Sequence, residues 1–367
     1  MNSPKKILIL ASDLSGPGGV SNYYSSLNLQ SEANIDYFPV NTAKPTSAPV
    51  TALRLITNYF RFVFFLITKG YNIIHVNPSL DRNSFYRDAV FIFLAHLLGK
   101  KTIIFFRGWE DEYENKIKSS SFKKTLFKFS YAKGSKFIVL SKKFKEKLLT
   151  MGVPKETPFY IETTVADSKY LPDLKILNKF REFDNEIRIL FLSRIEKEKG
   201  VYIAIEAFDQ FQKINNGIKT RLVIAGDGPE LPAVKKFTED TNIKNVFFTG
   251  YVRGDQKKEL LLNSHIMLFP TYYGEGLPNS ILESMLYAMP VISRDNAGIS
   301  DVVENNVNGY ITESKEPSVF ADYLTKISTD STLYKNMANT NHDVARSRFT
   351  SEKVRERVLS IYETFSN

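Results

Sequence analysis

Glu275 and Glu283 form an E-x7-E pair within Phe269–Glu283 (FPTYYGEGLPNSILE). A strand ending at Pro270, a Gly-rich turn and a helix starting near Asn279 or Ser280 would aim free backbone N–H groups at whatever sits above the junction. Gly274 and Gly276 let the backbone approach that ligand closely. Carboxylates are poor phosphate ligands but good acceptors for sugar hydroxyls, so a pair beside a phosphate site suits a nucleotide joined to a sugar. Ser280-Ile-Leu-Glu283 also fits a capping box, in which Glu283 satisfies only a backbone donor.

Upstream, Phe191–Gly200 reads FLSRIEKEKG, with Arg194 closing a strand and Lys199 preceding an amphipathic run of Val201, Ile205 and Phe208. Two cations at a strand's C-terminal end can meet a pyrophosphate, the guanidinium as a fork and the ammonium as a point charge. Equally, they can pair with Glu196 and Glu198 on a solvated turn. Ala225–Glu230 (AGDGPE) is a strand-ending turn in which Pro229 is placed to open a helix. Gly226 belongs to that turn, which is not a GxGxxG fingerprint. Thr249–Arg253 (TGYVR) ends another strand, where the backbone around Val252 can read a base edge.

Such loops need a frame, and the chain supplies one. At 367 residues, two to three domains are expected. Hydrophobic residues at 43% and charged residues at 24% make a globular composition and argue against disorder. The absence of Cys excludes a disulfide scaffold and Cys-ligated metal, and four His without HExxH spacing argue against a zinc enzyme. Short apolar runs alternate with helix-length segments, the α/β signature. Lys6–Ala11, Asn72–Asn77, Lys101–Phe106 and Lys136–Leu140 read as strands of the first half. Ile187–Ser193, Arg221–Ala225, Asn245–Thr249, His265–Pro270 and Pro290–Ser293 read as strands of the second. Asp167–Glu186 is the expected linker. The predicted organisation is 1–170, 171–350 and a terminal amphipathic helix over 351–367 that either covers its own sheet or crosses back to the first domain. Two Rossmann-like halves would form a ligand cleft at their strand C-terminal ends. Met1–Leu10 reads as a first strand rather than a signal peptide. Val63–Thr68 and Ala89–Leu98 fall short of the roughly 20 residues of a membrane span, so a soluble, cytoplasmic protein is expected.

In order and spacing, Arg194 with Lys199, the GDGP turn, the TGYV turn and Glu275-x7-Glu283 resemble retaining glycosyltransferases of family 4, which have the GT-B fold. Ser15–Val20 (SGPGGV), holding Gly18 and Gly19, resembles that family's Gly-rich acceptor-side loop. The resemblance implies that Arg194 and Lys199 hold the donor diphosphate and neutralise the leaving group. Glu283 would bind ribose hydroxyls and Glu275 the transferred sugar, as a positioning group rather than a nucleophile. Backbone near Gly276, Leu277 and Pro278 would contact phosphate or sugar, and Val252 the base. No cofactor or metal is expected beyond the nucleotide diphosphate sugar, most simply UDP-linked, because the chain lacks a persuasive DxD motif. One departure stands out. Many relatives carry a His after the fourth strand of the first domain, where this chain has Arg107. An Arg cannot act as a base at neutral pH; it can hold a donor phosphate or an anionic acceptor, or pair with Glu110 or Asp111. His75, closing NIIHVN, reads as structural.

Charge is uneven. Residues 1–180 carry 26 Lys/Arg against 14 Asp/Glu, whereas 181–367 carry 23 against 26. Lys116–Lys147 alone holds eleven Lys and one acid, Glu146, interleaved with aromatics. An anionic membrane surface fits that stretch, and so does a solvated face; Arg54, Phe60, Arg61, Phe62 and Phe64–Leu66 can extend the same surface or belong to the core. No nucleic-acid module surrounds it, so nucleic acid is not an expected partner. The expectation is a retaining hexosyltransferase extending a lipid-linked or glycan acceptor in polysaccharide or lipopolysaccharide assembly, in the cytoplasm or peripheral on the inner face of the plasma membrane. The alternatives are a nucleotide-sugar 2-epimerase of the same fold and a non-catalytic nucleotide-sugar-binding scaffold.

Overall fold

The computed structural model describes residues 5–14, 19–40, 48–166, 179, 186–274, 276–296 and 298–365. Gly18, Glu275 and, of the expected linker Asp167–Glu186, residues 167–178 and 180–185 lie outside them. The chain divides into two compact units: Met1–Thr163 together with Glu352–Asn367, and Thr164–Ser351. The division falls ahead of residue 170.

Unit 1 is built on strands β1 (Ile7–Ala11), β2 (Ile35–Pro39), β3 (Ile73–Val76), β5 (Lys101–Phe106), β7 (Lys136–Val139) and β8 (Phe159–Ile161), in the order β2-β1-β3-β5-β7-β8. All pairings are parallel. Parallel strands need crossovers that cover both faces of the sheet, which is why β1, β3 and β5 are apolar along nearly their whole length. The short strands β4 (Ser79–Leu80) and β6 (Gly108–Trp109) pair separately. Helices α1 (Gly19–Leu27), α2 (Ala48–Thr68), α3 (Arg82–Leu97), α4 (Asp111–Ser119), α5 (Ser121–Phe129) and α6 (Lys142–Thr150) make the connections. Asp81 caps α3 by accepting from the Asn83 and Ser84 N–H groups at 2.9 Å.

Unit 2 repeats the plan with β9 (Ile187–Leu192), β10 (Thr220–Ala225), β11 (Val246–Gly250), β12 (Ile266–Phe269), β13 (Val291–Arg294) and β14 (Gly309–Thr312), in the parallel order β11-β10-β9-β12-β13-β14. Its helices include α7 (Val201–Ile214), α8 (Leu231–Asp240), α9 (Gly254–Asn263), α10 (Asn279–Leu286), α11 (Pro317–Thr329) and α12 (Ser331–Arg348). In each sheet the order reverses beside the first strand, between β1 and β3 and between β9 and β12. Neighbouring loops there run apart and leave a crevice at the strand C-terminal ends.

The last helix, α13 (Ser351–Glu363), packs within unit 1. Its Tyr362 hydroxyl lies 2.6 Å from His75 Nδ1, and Arg357 pairs with Glu162 at 2.9 Å.

Two expectations change. Lys116–Lys147 is not one amphipathic surface: it runs through α4, α5, β7 and α6, and Phe127, Tyr131, Phe137 and Phe144 are core residues. Of its aromatics, Phe122 and Phe129 are exposed. And Pro49–Thr68 is one helix long and apolar enough, by length and composition, to cross a membrane. Reading only the uninterrupted run Val63–Thr68 hid it, because Arg54, Asn58 and Arg61 punctuate the helix.

Candidate functional site

The crevice between β9 and β12 gathers most of the chemistry. After β9 the chain passes Arg194, makes a short 3-10 turn over Lys197–Lys199 and reverses at Gly200, whose φ of 81° is left-handed. A Cβ there would lie 2.2 Å from the Pro270 carbonyl oxygen, so glycine is required for this turn to rest on the end of β12. The Tyr272 N–H donates to the Glu198 carbonyl at 2.8 Å, joining the two loops. Lys199 Nζ sits 3.8 Å from the centroid of the Tyr273 ring, a cation–π contact that aims the ammonium along the second loop. Arg194 pairs with Glu196 at 2.7 Å and keeps its side chain 69% exposed. Its guanidinium therefore retains room for an anion, and the pair is too solvated to hold it strongly.

The GDGP glycines are required by local packing. A Cβ at Gly226 (φ 143°) would stand 1.8 Å from the Ser193 carbonyl oxygen, and one at Gly228 2.3 Å from that of Ile195. The Ile195 N–H donates to the Asp227 carbonyl at 2.9 Å. This turn thus braces the Arg194 loop from the β10 side. Val252, after β11, lines a cavity of about 440 Å³ with Thr249, Gln256 and Leu260.

Beyond β12, Gly276 and Leu277 are buried and Pro278 opens α10. The Leu277 carbonyl accepts from Thr164 Oγ1 at 3.0 Å, and the Gly276 carbonyl from the Gly298 N–H at 2.9 Å, so this entry is fixed on both sides. No side chain caps α10, and the helix begins one residue before Ser280. The capping-box alternative for Glu283 fails on that register. Instead Glu283, buried on α10, accepts from Lys257 Nζ of α9 at 2.6 Å. Lys257 was missed by sequence reasoning. Nothing in GDQKKELLLN separates it from Lys258, and only the packing of α9 beside α10 does so.

Unit 1 places Gly19 at the start of α1 and Arg107 just past β5. Arg107 forms no ion pair with Glu110 or Asp111 among the described residues; Asp111 pairs with Lys147. Its guanidinium lies over the Tyr23 ring at 4.1 Å and the Phe105 ring at 4.3 Å, and Nη1 has no hydrogen-bond partner among the described residues. Burial draws its pKa down. Beneath it, His75 is fully buried between the Tyr24 hydroxyl (3.3 Å) and that of Tyr362, with Phe105 stacked on its ring. Burial, and then the Arg107 charge, hold its pKa down at about 3. It is a neutral, hydrogen-bonded part of the core that supports the arginine.

Residues 173–343 match the sequence family described as glycosyl transferases group 1. A glycosyltransferase of Methanocaldococcus jannaschii, MJ1069, is 25% identical over 85% of this chain and 81% of its own length. The poly(ribitol-phosphate) alpha-N-acetylglucosaminyltransferase of Staphylococcus aureus is 30% identical over 57% of this chain, a match spanning 38% of that enzyme. Among solved structures, Anabaena HepE in complex with UDP and glucose superposes with a TM-score of 0.70 at 17% identity, over 99% of this chain and all of that one. Sucrose-phosphate synthase from Thermosynechococcus elongatus gives 0.73 at 14% identity, over 98% and 99%. The fold is GT-B.

Proposed function

We propose, from the match of residues 173–343 to the group 1 glycosyltransferases, that the chain transfers a hexose from a nucleotide diphosphate sugar, UDP-linked, to a membrane-associated glycan or glycolipid. The setting is polysaccharide or lipopolysaccharide assembly at the cytoplasmic face of the plasma membrane. Transfer is metal-independent and retains the anomeric configuration.

The observation that carries this reading is the pairing of loops at the β9/β12 crevice. Arg194 and Lys199 stand on one loop, and the other leads into α10 with Glu283 buried one turn inside. When the bond from the anomeric carbon to the donor phosphate oxygen breaks, negative charge grows on the departing diphosphate. Two cations and a helix N-terminus meet that charge, which is where electrostatic stabilisation accelerates the step. The acceptor hydroxyl oxygen forms the new glycosidic bond on the same face, and its proton passes to the leaving phosphate oxygen. No nucleophilic carboxylate is needed, so Glu275 orients the sugar. Glu283, already charge-paired, accepts from ribose hydroxyls. The solved complexes of HepE with UDP support uridine as the base. In unit 1, Arg107 offers an unpaired cation to an anionic group of the acceptor.

Calorimetric titration with UDP, GDP and ADP in EDTA tests the donor site. UDP should bind selectively and the chelator should leave its affinity unchanged. Loss of binding in EDTA would remove metal independence, and failure of all three nucleotides would remove the site. NMR of the glycosidic product then reads its anomeric configuration.

A further inference from the structure

Helix α2 is held by one face and bare on the other. Phe62 and Leu66 are fully buried, the Phe62 ring packing on Phe38 and Phe91 at 5.7 and 5.1 Å, and the Tyr59 hydroxyl donates to the Arg87 carbonyl at 3.2 Å. Opposite them, Leu53, Ile56, Phe60, Phe64 and Ile67 recur at helical spacing and are each 51–74% exposed. The row continues on α3, which packs beside α2, through Val90, Phe93 and Leu97. It ends on α5, against α3, at Phe122 and Phe129. Together these side chains expose on the order of 1,000 Å² of apolar surface, beyond the few hundred Å² usual for the largest patch on a monomer.

Its charge identifies the occupant. Helices α2, α3 and α5 carry Arg54, Arg61, Arg82, Arg87, Lys123, Lys124 and Lys128 against a single acid, Asp88. That acid is buried and paired with Arg87 at 2.7 Å. A second copy of this face would set like charges against each other. A bilayer with anionic headgroups offers acyl chains to the apolar row and phosphates to its cations.

We propose that this face of unit 1 rests on an anionic lipid surface, with α2 lying along the membrane plane. The helix is long enough to span a bilayer, but spanning would pull Tyr59, Phe62 and Leu66 out of the unit 1 core. An in-plane helix keeps them packed and still immerses Phe60 and Phe64. The inference names the surface by which the membrane-associated acceptor proposed above is reached, and it rests on that reading for its purpose only. Within Lys116–Lys147, the part that serves is the exposed side of α5.

Flotation of the full chain with phosphatidylcholine vesicles, with and without phosphatidylglycerol, tests it. Binding should require phosphatidylglycerol and weaken with added salt. Phe60→Ser with Phe64→Ser should lower it by about tenfold or more. Lys123→Gln, Lys124→Gln and Lys128→Gln together should lower it by about 100-fold. Calorimetry with UDP on each variant confirms that the fold persists. Vesicle binding indifferent to the Phe pair, or no binding to either vesicle, overturns the proposal while leaving the donor reading to stand on UDP affinity. Loss of UDP affinity with vesicle binding retained does the reverse. Light scattering that shows a dimer dispersed by the Phe pair would assign the face to self-association and overturn the proposal as well.

Discussion

Replacing Glu283 with Gln and, separately, Lys257 with Met should split stability from donor affinity. The carboxylate side chain is 8% exposed and its Lys257 partner 31%. In Glu283→Gln the lysine loses its counter-charge but is solvated enough to tolerate that, for a cost of about 1 kcal/mol. In a unit of this size that lowers Tm by about 2–4 °C. In Lys257→Met the buried carboxylate keeps its charge without the ammonium, which costs more, about 2–4 kcal/mol. Donor binding should rank the other way. A carboxylate accepting ribose hydroxyls gives charge-assisted hydrogen bonds, each contributing about 1.5–3 kcal/mol. Gln retains one acceptor oxygen, so the Kd for UDP should rise about 10–100-fold in Glu283→Gln. It should rise only about threefold in Lys257→Met, which keeps both oxygens. Thermal melts and calorimetry read the two quantities on the same preparations. If UDP affinity falls in step with Tm in both variants, or survives intact in Glu283→Gln, the carboxylate is a structural ion-pair partner and not a donor ligand.

Three further outcomes are expected. Gly200→Ala should cost at least about 2 kcal/mol, since it meets both a left-handed φ and the Pro270 carbonyl; Gly217→Ala, with open space around it, is the control, and equal melts for the two would contradict this account. His75 has a folded pKa near 3, below its unfolded 6.5, so its neutral state contributes stability above pH 6.5 that is lost as pH falls toward 3, at up to about 1.4 kcal/mol per pH unit. His75→Phe should flatten that acid limb; because burial also lowers the pKa of His265, some slope will remain, and an unchanged slope would show that His75 is not its source. Arg107→Met should raise KM for an anionic acceptor by about tenfold or more and leave the Kd for UDP unchanged, as expected for a charge-assisted contact confined to unit 1; a weakened UDP affinity would move Arg107 to the donor side.

The interior strands were legible from sequence because a parallel strand covered on both faces is a nearly continuous apolar run, as in ILILA of β1 and IMLF of β12. Three of the four edge strands of the two six-stranded sheets lack that signature, β11 being the exception. IDYFP of β2, FYI of β8 and GYIT of β14 are half-buried and mix polar with apolar residues, and none was anticipated. The residues proposed for the donor side were singled out by type and order, but their local packing was not legible. Gly200, Gly226 and Gly228 are glycines because another backbone passes where a Cβ would stand, a fact about loops far apart in sequence. The partner of Glu283 was equally hidden, because choosing Lys257 over Lys258 requires the rotation of α9. Exposed and core aromatics of α2 alternate within one run, and only its contacts with Phe38 and Phe91 assign Phe62 to the interior and Phe60 to the surface.

The hydrogen bond between His75 and Tyr362 has a consequence for biosynthesis. Unit 2 is one uninterrupted stretch and can complete its sheet while the remainder of the chain is still being translated. Unit 1 is assembled from both sides of it, so its central strand β3 waits for a hydroxyl 287 positions downstream before His75 gains its second partner. During that interval the imidazole is less shielded and Glu162 lacks the guanidinium of Arg357. Unit 2 therefore needs no segment from beyond its own stretch, whereas unit 1, proposed to meet the acceptor and the membrane, reaches its final packing only when α13 arrives.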